Sequence, residues 1–105
     1  MKVLVVGLGS IGQRHVRNLL SHDFVSVIGF DPIQQQLSEI EASPKFTKVL
    51  SFDQGIQSNP DCVFICTPAD THVEYASKSL LAGAHLFIEK PLAPDLNGLS
   101  ELVQL

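Results

Sequence analysis

The sequence predicts an α/β fold, a doubly wound parallel sheet with helices packed against it. Three observations lead there. Short, continuously apolar runs of strand length recur along the chain, segments with helical apolar spacing separate them, and the first run empties into a glycine-rich turn that opens a helix. Continuous apolar runs suit strands covered on both faces, which is what helices on either side of a parallel sheet provide. A chain of 105 residues makes one small domain, able to bury roughly 60–70% of the surface its unfolded form exposes.

The elements follow in order. Apolar runs at Val3–Gly7, Phe24–Phe30, Asp61–Thr67 and His85–Glu89, with a weaker one near Phe46–Phe52, read as strands. Ile11, Val16, Leu19 and Leu20 mark a first helix, and Ile33, Leu37 and Ile40, at i, i+4, i+7, a second. A third runs from about His72 to Ala82, with Val73, Ala76, Ser77, Leu80 and Leu81 as its apolar stripe. Thr71 and Glu74 have the spacing of a capping box, and Gly83 stands where a left-handed C-terminal cap belongs. The segment Asp53–Asn59 is left unassigned. A last amphipathic stretch begins near Asp95 and carries Leu96, Leu99, Leu102 and Val103. No further strand follows it, so the sequence predicts a partial domain over 1–105, the front end of a longer chain, cut short before the last strand of a six-stranded sheet.

Composition narrows the function classes. Hydrophobic residues at 45% and charged residues at 17% describe a globular chain and not a disordered one. Eleven acidic residues against seven basic ones leave a net charge of −4, which argues against nucleic acid or an anionic membrane as the partner, since both reward clustered cations. No apolar run approaches the roughly 18 residues of a membrane span, and the short apolar N-terminus soon reaches glycines without a cleavage site. A cytoplasmic protein is expected. Cys62 and Cys66 agree with that: four residues along one strand is about 13 Å, too far for a disulfide, and two buried thiols suit a reducing compartment.

Gly7-Leu8-Gly9-Ser10-Ile11-Gly12 matches the G-x-G-x-x-G fingerprint between a strand and a helix, the context that the motif requires. Gly7 permits the tight turn, Gly9 lets the backbone approach a pyrophosphate, and Gly12 lets helix and strand pack closely. The free N–H groups of the helix start, at Ser10 and Ile11, face the phosphates. Asp31 falls 19 residues after Gly12, near the spacing of about 20 at which a carboxylate accepts ribose hydroxyls. A carboxylate there repels a 2′-phosphate, and Pro32-Ile33-Gln34-Gln35-Gln36 offers no cation to hold one, so NAD is favoured over NADP. An S-adenosylmethionine site uses a similar loop and acid, and these features alone leave it open.

Two further segments lie at carboxyl ends of strands, where open α/β sheets bind ligands: Cys66-Thr67-Pro68-Ala69-Asp70-Thr71-His72 and Gly83-Ala84-His85-Leu86-Phe87-Ile88-Glu89-Lys90-Pro91. Thr67-Pro68, His72 four residues beyond Pro68, Ala82-Gly83-Ala84-His85 and Glu89-Lys90-Pro91 together resemble the glucose–fructose oxidoreductase/inositol dehydrogenase/MocA family over nearly the whole chain. The resemblance disfavours the methyltransferase reading. It implies a nicotinamide-dependent dehydrogenase acting on a sugar or cyclitol hydroxyl, in which Lys90 reaches the substrate hydroxyl, Thr67, Pro68 and Glu89 line the cofactor, and His72 lies near the dinucleotide cleft. It also implies a second, substrate-binding domain that this chain lacks, so the chain alone is expected to bind cofactor without turnover, and a homo-oligomer is expected. The other class of function is a stand-alone, non-catalytic NAD-binding or sensing module.

The remaining polar residues read as structural. His15 and His85 fall on a helix surface and a strand edge, His22 in a loop, Arg14 and Arg17 on an exposed helix face, and Tyr75 opposite the apolar stripe of its helix. No His, Cys, Asp or Glu cluster has metal spacing.

Overall fold

The structure, a computed structural model, describes residues 1–33, 35–36 and 43–88. The second predicted helix beyond Gln36, the strand end at Glu89, and Lys90 with the final amphipathic stretch lie outside the described residues.

Five parallel strands form one sheet in the order β3-β2-β1-β4-β5: β1 (Lys2–Val6), β2 (Ser26–Phe30), β3 (Phe46–Lys48), β4 (Cys62–Ile65) and β5 (His85–Ile88). Among the described residues the full helices are α1 (Ser10–Leu20), α2 (Phe52–Gln57) and α3 (His72–Leu81), the last entered through a 3-10 turn at Ala69–Thr71. The chain winds outward from β1 to β3, crosses back, and continues through β4 to β5. That is the doubly wound fold, and its switch point lies between β1 and β4.

β1 is central, which is why its sequence is apolar without interruption. Leu4 and Val6 enter one core with Ile28, Phe30, Val63 and Ile65, while Val3 and Val5 enter the other with Leu8, Val16 and Val27. Alternate side chains of one strand thus feed both faces. Past the strands, Gly7 N–H donates to Phe30 O at 2.8 Å and Cys66 N–H to Val6 O at 2.7 Å. These bonds carry the parallel pairing into the loops that form the site.

Several boundaries differ from the sequence reading. Phe24 lies outside β2 and is exposed. β3 stops at Lys48, and Phe52 begins a helix instead of ending a strand. That helix, α2, is the segment left unassigned, and its signal is Ser51-x-x-Gln54: Ser51 Oγ accepts Gln54 N–H at 3.1 Å, and Gln54 Oε1 accepts Leu50 N–H at 2.9 Å. The expected capping box at Thr71 does not form. Thr71 is held in an αR conformation by the preceding 3-10 turn and makes no side-chain cap, whereas an N-cap needs extended backbone. Glu74 instead pairs with Lys78 at 3.5 Å.

The buried stripe of α3 is His72, Ala76 and Ser79, and Leu81 is exposed. Tyr75 packs on the core rather than away from it, its ring 4.8 Å from that of Phe52, and burial together with the Glu74 and Asp31 carboxylates pushes its phenol pKa up. Gly83 closes the helix as expected, with φ +85 and with Gly83 and Ala84 N–H groups donating to Leu80 and Ser79 carbonyls. Cys62 and Cys66 form no disulfide, and both are half-buried, not fully buried. His15 is wedged edge-on against Phe64 and Phe87, 5.3 Å from each.

The packing of α2 on β1 gives a direct test. A Cβ added at Gly55 would fall 2.7 Å from Leu4 Cδ1, and Leu4 is fully buried. Gly55→Ala should destabilise by about 1–3 kcal/mol through overpacking, and Leu4→Ala by about 2–5 kcal/mol through the cavity it leaves. In urea unfolding the double variant should lose clearly less than the two together, because the new methyl enters the vacated space. Additive losses would show that the two side chains do not share that space.

Candidate functional site

The site grows from three backbone segments meeting at the carboxyl edge of the sheet. Gly7 has φ +95, and a Cβ there would lie 2.7 Å from the Cys66 carbonyl carbon and 2.8 Å from Thr67 N. A Cβ at Gly12 would lie 1.8 Å from the Gly7 carbonyl oxygen. Only glycine lets β1, α1 and the end of β4 come this close. Gly9 differs: a Cβ there would meet only the Gln36 carboxamide, at 3.7 Å and beyond, so its missing side chain opens space on the cleft side.

α1 begins at Gly9 without a side-chain cap and without an acidic residue in its first turn. Its first main-chain N–H groups, with the positive end of the helix dipole, are therefore available to an anion. The loop before it is tied down from both sides. Gln13 Nε2 donates to Leu8 O at 2.9 Å. Asp31 Oδ2 accepts Leu8 N–H at 2.6 Å, and Asp31 Oδ1 accepts Ile33 N–H at 2.7 Å. Asp31 is only 5% exposed. With about four acceptor positions on a carboxylate, two remain for a ligand's hydroxyl groups after the backbone has taken its share.

These segments enclose a cleft of about 290 Å³. Gly7 and Gly9 form its floor, Asp31, Pro32, Ile33 and Gln36 one wall, and Cys66, Thr67 and Pro68 the other. The predicted residues Gly7, Gly9, Asp31, Thr67 and Pro68 are thereby brought together around one space. Ser10 and Ile11 sit in the first turn of α1 and Gly12 is packed beneath the loop; none of the three lines this cleft. His72 lies behind the wall, 1% exposed, with its Nε2–H donating to the Thr67 carbonyl at 2.5 Å. Glu89 and Lys90 fall outside the described residues. The sequence reading passed over Ile33, Gln36 and Cys66 as cleft residues. Gln36 is one helical turn beyond Pro32, a position that the amphipathic pattern hides because it is polar among other glutamines.

A second cavity, of about 220 Å³, opens at the amino edge of the sheet near Lys2, Ser26 and Ser58. There the Lys2 ammonium is already bonded to the Ser58 carbonyl at 2.7 Å, and open α/β sheets bind their ligands at the other edge. Among the described residues no three His, Cys, Asp or Glu side chains gather as a metal site, and no helix is long and apolar enough to cross a membrane.

The comparison with known proteins decides the family. The sequence profile of the glucose–fructose oxidoreductase/inositol dehydrogenase/MocA oxidoreductases, described as an oxidoreductase family with an NAD-binding Rossmann fold, matches residues 1–105. The chain belongs to this family. Its fold is thus the Rossmann fold and its cofactor class a nicotinamide dinucleotide. The scyllo-inositol dehydrogenase of Lactobacillus casei, solved with NAD(H) and scyllo-inositol, superposes with a TM-score of 0.87 at 27% identity, over 99% of this chain and 32% of that one. The myo-inositol 2-dehydrogenase of Thermotoga maritima is 27% identical over 99% of this chain and 32% of its own length. Mouse biliverdin reductase A is 29% identical over 98% of this chain and 35% of its own. The chain of this family member spans about a third of the relatives that it matches.

Asp31 is the side chain on which the loop geometry rests. Asp31→Ala removes the acceptor of two backbone N–H groups and should lower stability by about 1.5–3 kcal/mol, the scale of hydrogen bonds to a charged group. Asp31→Asn, which keeps one acceptor oxygen, should lose less. Equal urea midpoints for wild type and Asp31→Ala would show that the carboxylate is not holding the loop.

Proposed function

We propose that residues 1–105 are the dinucleotide-binding part of an NAD-dependent oxidoreductase that transfers a hydride between the cofactor and a hydroxyl-bearing carbon of a sugar or cyclitol. The observation that carries this reading is the convergence of the glycine turn, Asp31 and Thr67–Pro68 on one cleft at the switch point of the sheet. The residues fit the cofactor. The uncapped start of α1 suits a pyrophosphate, the open space over Gly9 lets it approach the backbone, and the unused acceptor positions of Asp31 suit the two hydroxyls of an adenosine ribose.

When bound, the nicotinamide ring supplies the site that accepts or gives the hydride. The chain's own residues bind and orient. Gly9, Ser10 and Ile11 present main-chain N–H groups to the phosphates, Gly7 and Gly12 let the turn and the helix pack closely enough for that, and Asp31 fixes the adenosine end. Thr67, Pro68 and Glu89 support the other half, with His72 behind them. Lys90, two residues beyond β5 in the sequence, orients and polarises the substrate hydroxyl as its proton leaves. Substrate contacts and the main proton acceptor are assigned to residues outside 1–105, a reading supported by relatives about three times as long that act on substrates as unlike as inositol and biliverdin. The chain by itself therefore holds NAD without turnover. The complete enzyme is read as a cytoplasmic homo-oligomer, with neither nucleic acid nor membrane as partner.

Calorimetric titration of the chain tests the cofactor choice. NAD should bind more tightly than NADP, and the double substitution Asp31→Ser with Pro32→Arg should move the preference toward NADP, since it removes a repelling charge and adds a phosphate partner. Equal affinities of the wild type for the two would refute the assignment. Lys90→Met in the complete enzyme should lower turnover by about a hundredfold or more, with NAD affinity nearly unchanged. Turnover near the wild-type rate would make Lys90 a surface lysine.

A further inference from the structure

We infer that Thr71 is a positioning residue for the cofactor, and that it sets the Thr67 hydroxyl on the cleft wall as a hydrogen-bond acceptor toward the ligand. The inference rests on the cofactor reading above and goes beyond it by giving a role to a residue that does not line the cleft.

The Thr71 side chain occupies the N-cap position of α3 yet makes no cap. It turns back to the cleft wall instead. Its Oγ1 lies 2.6 Å from Thr67 Oγ1 and 2.7 Å from the Pro68 carbonyl oxygen. A hydroxyl has one hydrogen, and a carbonyl oxygen can only accept. Both contacts are satisfied together when Thr71 donates to Pro68 and Thr67 donates to Thr71. The hydrogen of Thr67 is then committed to Thr71, outside the cleft lining, and its oxygen meets the cleft as an acceptor only.

The rest of Thr67 is equally constrained. Its carbonyl is held by His72 Nε2, its backbone nitrogen lies 2.8 Å from where a Cβ at Gly7 would stand, and the residue is 8% exposed while lining the cleft. A wall hydroxyl fixed as an acceptor complements a ligand hydroxyl and opposes a phosphate oxygen, which has no proton to give. Thr67 follows β4, on the side of the switch point that takes the second mononucleotide half. The group it reads is therefore a hydroxyl of the nicotinamide ribose, while the adenosine ribose is taken by Asp31 on the facing wall of the same cleft. Supporting groups of this kind hold a binding group in its productive orientation before the ligand arrives.

The test compares NAD with ADP, which lacks the nicotinamide riboside, on the wild-type chain and on Thr71→Val, Thr71→Ser and Thr67→Val. Thr71→Val keeps the shape and removes the hydroxyl. It should weaken NAD about threefold to tenfold, the range for one neutral hydrogen bond, while ADP changes by less than about twofold. Thr71→Ser should restore NAD affinity, and Thr67→Val should behave as Thr71→Val does. A merely structural Thr71 would move NAD and ADP together, and that result, or unchanged NAD affinity in Thr71→Val, would overturn the inference. A wild-type chain that binds neither ligand fails at the cofactor reading itself, before any variant is compared.

Discussion

The carboxyl edge of this sheet depends on one contact: the start of α1 passing the carbonyl of Gly7 at a distance that only Gly12 permits. A single Cβ at position 12 would sit 1.8 Å from that oxygen. Because the helix can pass, its uncapped N-terminus points over β1, and the turn itself lies against the backbone of Cys66 and Thr67. Three segments distant in sequence are then close enough for one ligand to touch all of them. Asp31 locks the arrangement by accepting from Leu8 within the turn and from Ile33 beyond β2. The same carboxylate shapes the loop and lines the cleft, so the architecture of the turn and the chemistry of the cleft wall are coupled through one side chain.

Much of this was legible in the sequence, and for physical reasons. β1 and β4 are apolar throughout because both of their faces are covered, and a run such as Val3–Val6 has no other comfortable place. The glycine spacing and Asp31 were legible because close backbone approach and a buried acceptor each admit very few residue types. Helix ends were harder. Thr71-x-x-Glu74 and Ser51-x-x-Gln54 are the same pattern, yet only the second forms its cap, because a 3-10 turn fixes the backbone of Thr71 in a helical conformation before the helix begins. Local spacing cannot register a constraint imposed by the preceding turn.

The same limit applies to the site. Thr67 and Pro68 could be placed at a strand end, but the partnership of Thr67 with His72 and Thr71 is made across the entry to a helix. His72 looks from its sequence like a cleft residue and is found supporting the wall from behind. Gln36 has the opposite history. Nothing in a run of three glutamines distinguishes one of them, and only the approach of its helix to Gly9 brings its carboxamide to the cleft.

The central claim is that this cleft receives NAD. Backbone amide chemical shifts followed by NMR during NAD titration test it residue by residue. The account predicts saturable shifts at Leu8, Gly9, Ser10, Ile33 and Thr67, with Lys2, Ser26 and Ser58 at the opposite edge of the sheet unmoved. Saturable shifts centred on that opposite edge, or none at the glycine turn at millimolar NAD, would contradict it.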